Sequence, residues 1–382
     1  MEFQYRSSGG VYYFEFTGDK VRVLVERLHE DSHFVVTAEL RVWSTLTDTP
    51  LHLTQGRMNL TSPVSRKAMV KTLEARARQI LWDDVLETVC VKVLESWREG
   101  SPVRLASDIP VPGEITYLVR PFVLENQPNV LFGDGGSLKS YFAQLVAVSV
   151  DCAETSILDI RPGKVFYLDY ETDEADWRRR INQIMLGMGI TDVPTGIYYR
   201  YCFHPLTADI AMLQRTVAEH NISLVVIDSA GPACGGEPEN PMNVLKYFQA
   251  LRSLQCTSLT ITHVPKNTSE KTPFGSVYWS NAPRSVWYAR KQQEPAKPSA
   301  AIGLTQTKTN IGQPEKPRAF QLNFESDRVT FKETSFMNTP EFREVARLKD
   351  QLRFVLAKGA RTVAELAAEL GKNKNDEDVI RT

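Results

Sequence analysis

Residues 130–141 read VLFGDGGSLKSY, an apolar run that leads through a glycine-rich turn to Lys139 and Ser140. The next residues, YFAQLVAVSV at 141–150, have the composition of a buried helix. This order of strand, glycine-rich loop and helix is typical of a phosphate-binding loop, because the loop N–H groups and the positive helix end both face phosphate oxygens. The stretch therefore predicts a nucleotide site; the alternative is a glycine-rich turn that merely precedes a helix.

The pattern G-x-x-x-x-G-K-[ST] assigns roles within this loop. Lys139 is expected to reach the β- and γ-phosphates and so to act in catalysis, and the Ser140 hydroxyl is expected to bind Mg²⁺. Leu138 departs from the pattern, which has glycine at that position. The predicted nucleotide-binding residues of the loop are Gly133, Asp134, Gly135, Gly136, Ser137, Leu138, Lys139, Ser140 and Tyr141.

The overall composition is that of an ordinary globular protein. The 382 residues are 42% hydrophobic and 24% charged, with a net charge of −1, and the length predicts two or three domains. Because there is no overall basic field, any nucleic-acid contact has to come from a local patch or a ring of subunits. The five scattered cysteines argue against a zinc site or a disulfide framework. The sequence shows no signal peptide and no long apolar run, so we expect a cytoplasmic protein without a membrane span.

Four segments are expected along the chain. Residues 1–98 are predicted to be a small α+β domain, with strands at 10–16, 20–28 and 34–45 and one or two helices within 65–97. The three prolines of residues 99–114 indicate a linker. The other two segments are a central core at 115–332, which contains the glycine-rich loop, and a helical unit at 339–382.

The core alternates apolar strands with helical stretches. The first five predicted strands are separated by helices, as in parallel βαβ units, whereas the last three follow each other closely and are expected to be antiparallel. The predicted strands are 129–132, 164–169, 196–200, 224–228, 258–263, 285–290, 302–308 and 320–324. The predicted fold class is α/β with a mostly parallel, twisted sheet.

The C-terminal segment is predicted to be helical. A helix is expected over residues 340–358, and a capping box at residues 362–365 begins a second helix that ends near Leu370. A third helix is expected to start at Asn375, which would give a helix-turn-helix-like or winged-helix-like unit that the chain leaves incomplete. Small three-helix units are common, so DNA binding by this tail is one of two interpretations.

Three polar residues at predicted strand ends carry the proposed chemistry. Glu171 follows the strand after the loop helix, where a carboxylate can activate the attacking water; its alternative role is that of a helix-capping acid. Asp228 ends the hydrophobic run LVVID and is expected to hold Mg²⁺ with Ser140. His263 ends the next strand and is predicted to sense the γ-phosphate, the alternative being a buried histidine with its hydrogen bonds satisfied.

The loops that follow Asp228 and His263, at residues 229–241 and 264–282, are candidate DNA contacts. The second loop carries Lys266 and Lys271. In a ring of subunits such loops could line a channel, where lysines bind phosphates and aromatic rings stack on bases. The alternative is that both are ordinary surface loops.

Taken in order, several motifs resemble the RecA-like ATPases, and within them the RepA-type and DnaB-type hexameric helicases and the AAA-family ATPases of phages and plasmids. The motifs, within residues 125–325, are GDGGSLKS, YLDYET followed by WRRRI, LVVIDS, THVPK and TQTKTNIG. The resemblance implies a RecA-like core that hydrolyses ATP with Mg²⁺, self-associates into a ring, most often a hexamer, and binds single-stranded DNA.

The resemblance also implies roles for individual residues. Glu171 corresponds to the catalytic glutamate, Asp228 to the Mg²⁺-holding acid and His263 to the sensor. Arg180 corresponds to a residue that packs on adenine. Lys308 corresponds to a basic residue that reaches the nucleotide of a neighbouring subunit.

Two positions depart from the family pattern. Leu138 replaces glycine in the loop, and Asn310 stands where the late motif K-x-R-x-G has its arginine, although Lys308 is kept. A lysine lacks the bidentate fork of an arginine, and an arginine finger contributes about 10³–10⁵ in rate. Turnover is therefore expected to be slow, unless another arginine takes this place; the candidates are Arg284, Arg290 and Arg318.

These features leave three functions to compare. The leading prediction is an oligomeric ATPase that binds single-stranded DNA as a helicase or a replication or recombination factor. The second is a slow ATP-binding switch that controls oligomerisation and recruits partners, which Leu138 and Asn310 favour. A small-molecule kinase is disfavoured, because Glu171 and His263 suit water activation and sensing.

Overall fold

The computed structural model describes residues 2–370 except 9, 48, 101–102, 112, 265–271, 344–347 and 358. The chain divides into two compact units. The first consists of Met1–Glu114, Ala208–Asn221 and Ser253–Gln255, and the second of Ile115–Thr207, Ile222–Arg252 and Cys256–Thr382. The division into four segments expected from the sequence stays a prediction.

The first unit contains a five-stranded antiparallel sheet in which the strands follow sequence order. Its strands are β1 (Gln4–Ser8), β2 (Val11–Phe16), β3 (Val21–Glu30), β4 (Val36–Ser44) and β5 (Leu51–Asn59). Two helices, α1 (Pro63–Glu74) and α2 (Trp82–Glu99), pack on one face, and every second residue of β4 is buried beneath them. A short 3₁₀ turn spans Ala106–Asp108.

The sequence patterns predicted the three inner strands but neither edge strand. β1 reads QYRSS and its described side chains are exposed, while β5 carries Gly56 and several polar residues. Edge strands pair on one side only and tolerate such polar sequences, so they lack the apolar alternation on which strand prediction depends.

The second unit is built on a nine-stranded sheet with the order β11-β10-β12-β13-β8-β14-β15-β16-β17, accompanied by a small sheet β7-β6-β9. The strands are β6 (Tyr117–Arg120), β7 (Val123–Leu124), β8 (Pro128–Gly133), β9 (Asp159–Ile160), β10 (Lys164–Asp169), β11 (Ile197–Tyr201), β12 (Ile222–Asp228), β13 (Thr257–His263), β14 (Ser285–Gln292), β15 (Ser299–Thr309), β16 (Arg318–Phe324) and β17 (Val329–Thr334).

The remaining helices lie between these strands in the sequence or after them. They are α3 (Lys139–Cys152), α4 (Glu174–Gly187), α5 (Ile210–His220), α6 (Ala230–Ala233), α7 (Pro241–Ser253), α8 (Tyr278–Asn281), α9 (Pro340–Arg343), α10 (Leu348–Leu356) and α11 (Val363–Glu369), with a 3₁₀ turn at Phe336–Asn338. Helix α5 belongs to the first unit. Helix α3 is buried at every position from Phe142 to Val150. Among the described residues, no helix is long and apolar enough to cross a membrane.

The large sheet is mostly parallel, as predicted. Strands β11, β10, β12, β13, β8 and β14 pair in parallel, and β14 to β17 form antiparallel pairs. Strand β14 was expected to be antiparallel, and that expectation is only half correct. It is antiparallel to β15 but parallel to β8, because the chain crosses back between His263 and Ser285 before β14 begins.

Part of the helical tail lies within the described residues. The predicted capping box is present: the Thr362 hydroxyl accepts from the Glu365 amide, and the Glu365 carboxylate accepts from the Thr362 amide at 2.7 Å. The expected helix at 340–358 is described as α9 and α10, and the expected third helix from Asn375 lies outside the described residues. A helix-turn-helix unit therefore stays a prediction.

Candidate nucleotide-binding and hydrolysis site

The sheet order brings four chain segments to one edge. In a parallel sheet all carboxyl ends lie on the same side, and β13 separates the loop strand β8 from β12. The register places Asp169 beside Asp228 and His263 beside Gly133. The residues that the sequence placed at strand ends therefore meet at the loop between β8 and α3.

Gly133 begins this loop, and its lack of a side chain is a packing requirement. A Cβ atom there would lie 2.3 Å from the backbone oxygen of Ala289, the residue opposite it on β14. Real Cβ atoms do not approach a carbonyl oxygen so closely. Both partners belong to the backbone of paired strands, so no flexible side chain could move away to relieve the clash. The loop can therefore start here only with glycine.

Leu138 adopts a left-handed backbone conformation, with φ +67° and ψ 15°. This is the position at which the phosphate-loop pattern has glycine. The left-handed region costs a residue with a Cβ about 1–2 kcal/mol, whereas glycine enters it freely. The loop thus keeps the backbone path that glycine favours and supports it by packing the half-buried Leu138 side chain against the core.

Replacing Leu138 by glycine is expected to tighten nucleotide binding by roughly three- to tenfold, because about 1 kcal/mol of backbone strain is relieved in the loop conformation that receives phosphate. The measurement is titration with a fluorescent ATP analogue. Leu138→Ala is the matched control, since alanine removes the bulk of the side chain but keeps the strained Cβ. Equal affinities in all three proteins would show that the departure from glycine is neutral.

Lys139 is buried and points into its own loop. Its Nζ donates hydrogen bonds to the backbone oxygens of Gly133 and Asp134 at 3.0 and 2.7 Å and to the Ser137 hydroxyl at 3.1 Å. Burial lowers the pKa of Lys139 to about 8, against the opposing effect of nearby carboxylates, first that of Asp228. The ammonium group is thus held at the loop by groups that phosphate oxygens can replace.

Nucleotide affinity is expected to fall as the pH rises above about 8, because the free protein then loses the Lys139 proton that phosphate binding requires. Below that pH the lysine is charged and affinity should be flat; above it the slope should approach one decade per pH unit. Lys139→Arg is the control, since arginine stays charged and its weaker binding should not bend over this range. If the nucleotide affinity of the wild type were as independent of pH as that of the variant, the assignment of Lys139 to phosphate binding would be contradicted.

Asp228 is buried at the end of β12 and faces the loop helix. Its Oδ2 accepts a hydrogen bond from the Tyr167 hydroxyl at 2.8 Å, whereas its Oδ1 has no hydrogen-bond partner among the described residues. Burial raises the pKa of Asp228 to about 6, while Tyr167 and Ser140 favour the charged form. The peptide bond between Asp228 and Ser229 is cis.

Ser140 and Asp228 fit the magnesium ion that the sequence predicts. Mg²⁺ prefers oxygen ligands and is typically bound through one or two protein groups together with phosphates and water. An unpaired, buried carboxylate oxygen near a serine hydroxyl supplies that donor set. Nowhere in the described part of the chain, this site included, does a group of three or more His, Cys, Asp or Glu residues form a metal site of its own.

Glu171, His263 and Ser229 form a hydrogen-bonded group beside the loop. Glu171 Oε1 accepts from the Ser229 hydroxyl and lies 3.2 Å from His263 Nε2. The hydrogen bond from His263 is the main cause that lowers the pKa of Glu171, and Ser229 and Lys139 add to it against the effect of burial. Glu171 is therefore ionised at neutral pH, as a general base has to be.

Sequence reasoning missed three side chains of this site. Tyr167 donates to the carboxylate of Asp228, and Ser229 donates to that of Glu171. The third is Asp169, buried at the end of β10, whose carboxylate accepts hydrogen bonds from the backbone just before α4. An acid that ends an apolar strand was the signal used for Asp228, and it applied equally to Asp169.

Arg180 lies on α4 with its guanidinium 5.5 Å from the centre of the Tyr141 ring. The same ring packs edge-on against Phe324 at 5.4 Å. The structure thus brings together the two residues that the sequence assigned to nucleotide contacts outside the glycine-rich turn. A planar cation over an aromatic ring forms a flat surface of the kind on which a base can stack.

Lys308 is not brought to the loop of its own chain. It pairs with Val286 of β14, toward the amino ends of the parallel strands, and its Nζ donates to the backbone oxygens of Asn281 and Pro283 at 2.9 and 2.7 Å. Burial, then Arg284, lowers its pKa. Of the alternative arginines, Arg318 is paired with Glu333.

The predicted DNA contacts Lys266 and Lys271 lie outside the described residues. The described parts of the two candidate loops are joined at one atom, the backbone oxygen of Pro238. It accepts hydrogen bonds from the Ser276 amide at 2.9 Å and from the Trp279 indole at 3.1 Å. Gly275 has φ +103°, and a Cβ there would lie 2.3 Å from the same oxygen, so this junction requires glycine.

Comparisons with known proteins gave a family match and similar solved structures. Residues 99–269, which include Lys139, Glu171, Asp228 and His263, match a family described as an AAA domain. No curated protein matches the chain. Among solved structures, a KaiC-like protein from the hyperthermophilic archaeon Pyrococcus horikoshii is similar, with 14% identity, a TM-score of 0.41, and coverage of 58% of this chain and 100% of that one. The family match and the strand order support a RecA-like P-loop ATPase core.

Proposed function

We propose that this protein is an oligomeric ATPase that hydrolyses ATP with Mg²⁺. Hydrolysis is coupled to binding of single-stranded DNA and to movement along it. The protein would then act as a helicase, or as a replication or recombination factor, of the RepA and DnaB type. The observation that carries the proposal is the meeting of Lys139, Glu171, Asp228 and His263 at one edge of the sheet. The proposed organisation is the division into four segments expected from the sequence, and the proposed assembly is a ring, most simply a hexamer.

Each step of the proposed hydrolysis is assigned to particular residues of the chain. Lys139 leaves its contacts with the loop oxygens and binds the β- and γ-phosphates, while the loop N–H groups surround them. Ser140 and Asp228 would hold Mg²⁺, which neutralises developing phosphate charge when bound. Glu171 takes the proton of the attacking water, and His263, hydrogen-bonded to it, registers whether the γ-phosphate is present.

Oligomerisation is proposed from the position of Lys308. Within one chain the lysine lies toward the strand ends opposite the loop, so a role at the γ-phosphate requires a neighbouring subunit. Lys308→Ala is expected to lower turnover without lowering ATP affinity. Mixing it with Glu171→Gln should restore some of the activity, because some sites then combine an intact base with an intact lysine.

The mixing result is read from steady-state ATPase rates across a series of subunit ratios, with particle size measured in the same buffer. Activity that stays the simple average of the two variants would contradict sites formed between subunits. So would a strictly monomeric protein at micromolar concentration in ATP.

A specific observation favours the second candidate, a slow ATP-binding switch. Leu138 places strain in the phosphate loop, and Asn310 removes the expected arginine. Both changes predict weak turnover, which suits control of oligomerisation and partner recruitment better than a motor. ATP binding and hydrolysis at the same residues are common to both candidates.

The experiment that separates them is ATP turnover with and without a thymidine oligonucleotide, with the duplex of the same length as control. Strong stimulation by the single strand supports the motor. Slow turnover that is indifferent to DNA, with a change of particle size in ATP, supports the switch. Absence of ATP binding would refute both.

A further inference from the structure

Asp169 is the most completely engaged carboxylate near the site. Its Oδ1 accepts from the amides of Glu171 and Thr172 at 3.0 and 2.9 Å, and its Oδ2 accepts from the Thr172 hydroxyl at 2.5 Å and the Tyr199 hydroxyl at 3.3 Å. The Asp169 residue is only 1% exposed. The carboxylate thus closes a turn over the two residues that follow Tyr170.

We infer that Asp169 is a positioning residue for hydrolysis, which holds Glu171 at its place through the backbone. The inference rests on the proposed function of Glu171 as general base. Asp169 acts on the amide of the residue that carries the base, and its carboxylate accepts hydrogen bonds from Glu171, Thr172 and Tyr199.

We call the Asp169 carboxylate, with the hydrogen bonds that it accepts from Glu171, Thr172 and Tyr199, the Asp169 clamp. The need for this clamp follows from where Glu171 lies. The residue stands beyond the last hydrogen-bonded pair of β10, which ends at Asp169, and before α4 begins at Glu174. The last strand hydrogen bond before it joins the Tyr170 amide to the backbone oxygen of Asp228 at 2.6 Å, and the Glu171 amide itself donates to the Asp169 carboxylate and not to a strand or helix. A general base has to stay within hydrogen-bond reach of its water, and a displacement of about 1 Å can cost roughly 10²-fold in rate.

The clamp is itself tied to its surroundings on both sides. Tyr199, one of its donors, lies on β11 and packs against Trp177 of α4 with ring centres 4.4 Å apart. The backbone oxygen of Asp169 accepts from the Cys202 amide at 2.8 Å. Because a buried carboxylate pays a large cost to leave such donors, the turn is expected to be rigid.

The test begins with Asp169→Ala and Asp169→Asn. Alanine leaves the two amides and the Thr172 hydroxyl without their acceptor, so kcat is expected to fall by about ten- to a hundredfold while KM for ATP stays nearly constant. Asparagine keeps an acceptor oxygen in the same place and should restore most of the rate. Thr172→Val removes one donor without a charge change and is expected to give a smaller loss of kcat.

Asp173→Ala is the matched control. Asp173 is also an aspartate that accepts a backbone amide, that of Asp176 at 2.7 Å, but it caps α4 and does not hold the Glu171 amide. Its loss should lower the melting temperature and leave kcat unchanged. If Asp173→Ala lowers kcat as much as Asp169→Ala, destabilisation of this region explains the effect and the inference is wrong.

A combination with Glu171→Gln gives the sharpest readout. If Asp169 acts through Glu171, adding Asp169→Ala to the Glu171→Gln protein should lower turnover no further, whereas a separate structural role would multiply the two losses. Should Glu171→Gln alone abolish turnover while Asp169→Ala and Thr172→Val leave it intact, the inference falls and the proposed function stands. Normal turnover in Glu171→Gln would overturn both the inference and the assignment of Glu171 as general base.

Discussion

Replacing Lys139 by alanine should abolish ATP hydrolysis, with turnover reduced by about 10³-fold or more, since charge stabilisation of the transferred phosphoryl group is lost. The side chain is buried, and its hydrogen bonds go to acceptors of the loop itself. Nucleotide affinity should fall as well, because the ammonium group contacts the phosphates before and during reaction. The measurements are steady-state turnover and analogue binding by the same preparation.

The fold is expected to survive this change. Burial lowers the pKa of the lysine, which means that keeping this side chain charged has a cost that alanine removes. Lys164→Ala is the matched control: this lysine is exposed at the opposite, amino end of β10 and should change neither quantity. Unchanged turnover in a folded Lys139→Ala protein would remove the phosphate-loop assignment.

Glu171→Gln should separate chemistry from binding. The amide keeps the shape of the side chain and an oxygen that can accept from Ser229 and His263, but it cannot take a proton. Turnover is expected to fall by about 10²-fold or more, as for a lost general base, while ATP affinity stays within a few-fold. Single-turnover hydrolysis and analogue titration measure the two effects.

Glu174→Gln provides the comparison, because Glu174 is the exposed first residue of α4 and lies outside the hydrogen-bonded group of Glu171, Ser229 and His263. It should behave as wild type. If Glu171→Gln hydrolyses ATP at the normal rate, Glu171 serves the start of the helix and not the reaction.

Local sequence patterns predicted the elements of the large sheet well, and their limits have physical causes. Strands β10 and β12 contain long apolar runs, VFYL and LVVI, and β13 alternates threonine or serine with leucine and isoleucine in a strand that is almost entirely buried. These local patterns are sufficient to predict the three strands. Strand β17, which reads VTFKET, was not predicted, because it lies at the sheet edge and carries polar residues. The parallel pairing of β14 with β8 depends on the chain crossing back before β14 begins, and hydrophobic periodicity does not predict the direction in which a strand pairs.

The candidate site shows the same contrast between what local sequence patterns predict and what the tertiary structure decides. Lys139, Glu171, Asp228 and His263 were chosen because each stands at a strand end or loop end, a local property that the sequence displays. Their mutual contacts were not visible there: Glu171 and His263 are 92 positions apart in the chain.

The sequence by itself determined a phosphate loop between a strand and a helix, a series of apolar strands, and acids at their carboxyl ends. These are local properties, set by residue type and spacing. Only the tertiary structure decided that β13 lies between β8 and β12, that Leu138 takes a left-handed conformation, and that Asp169 closes on the backbone of Glu171. The reason is that hydrophobic periodicity records which residues are buried, whereas strand order, backbone strain and hydrogen-bond partners depend on which distant segments the packed sheet brings side by side.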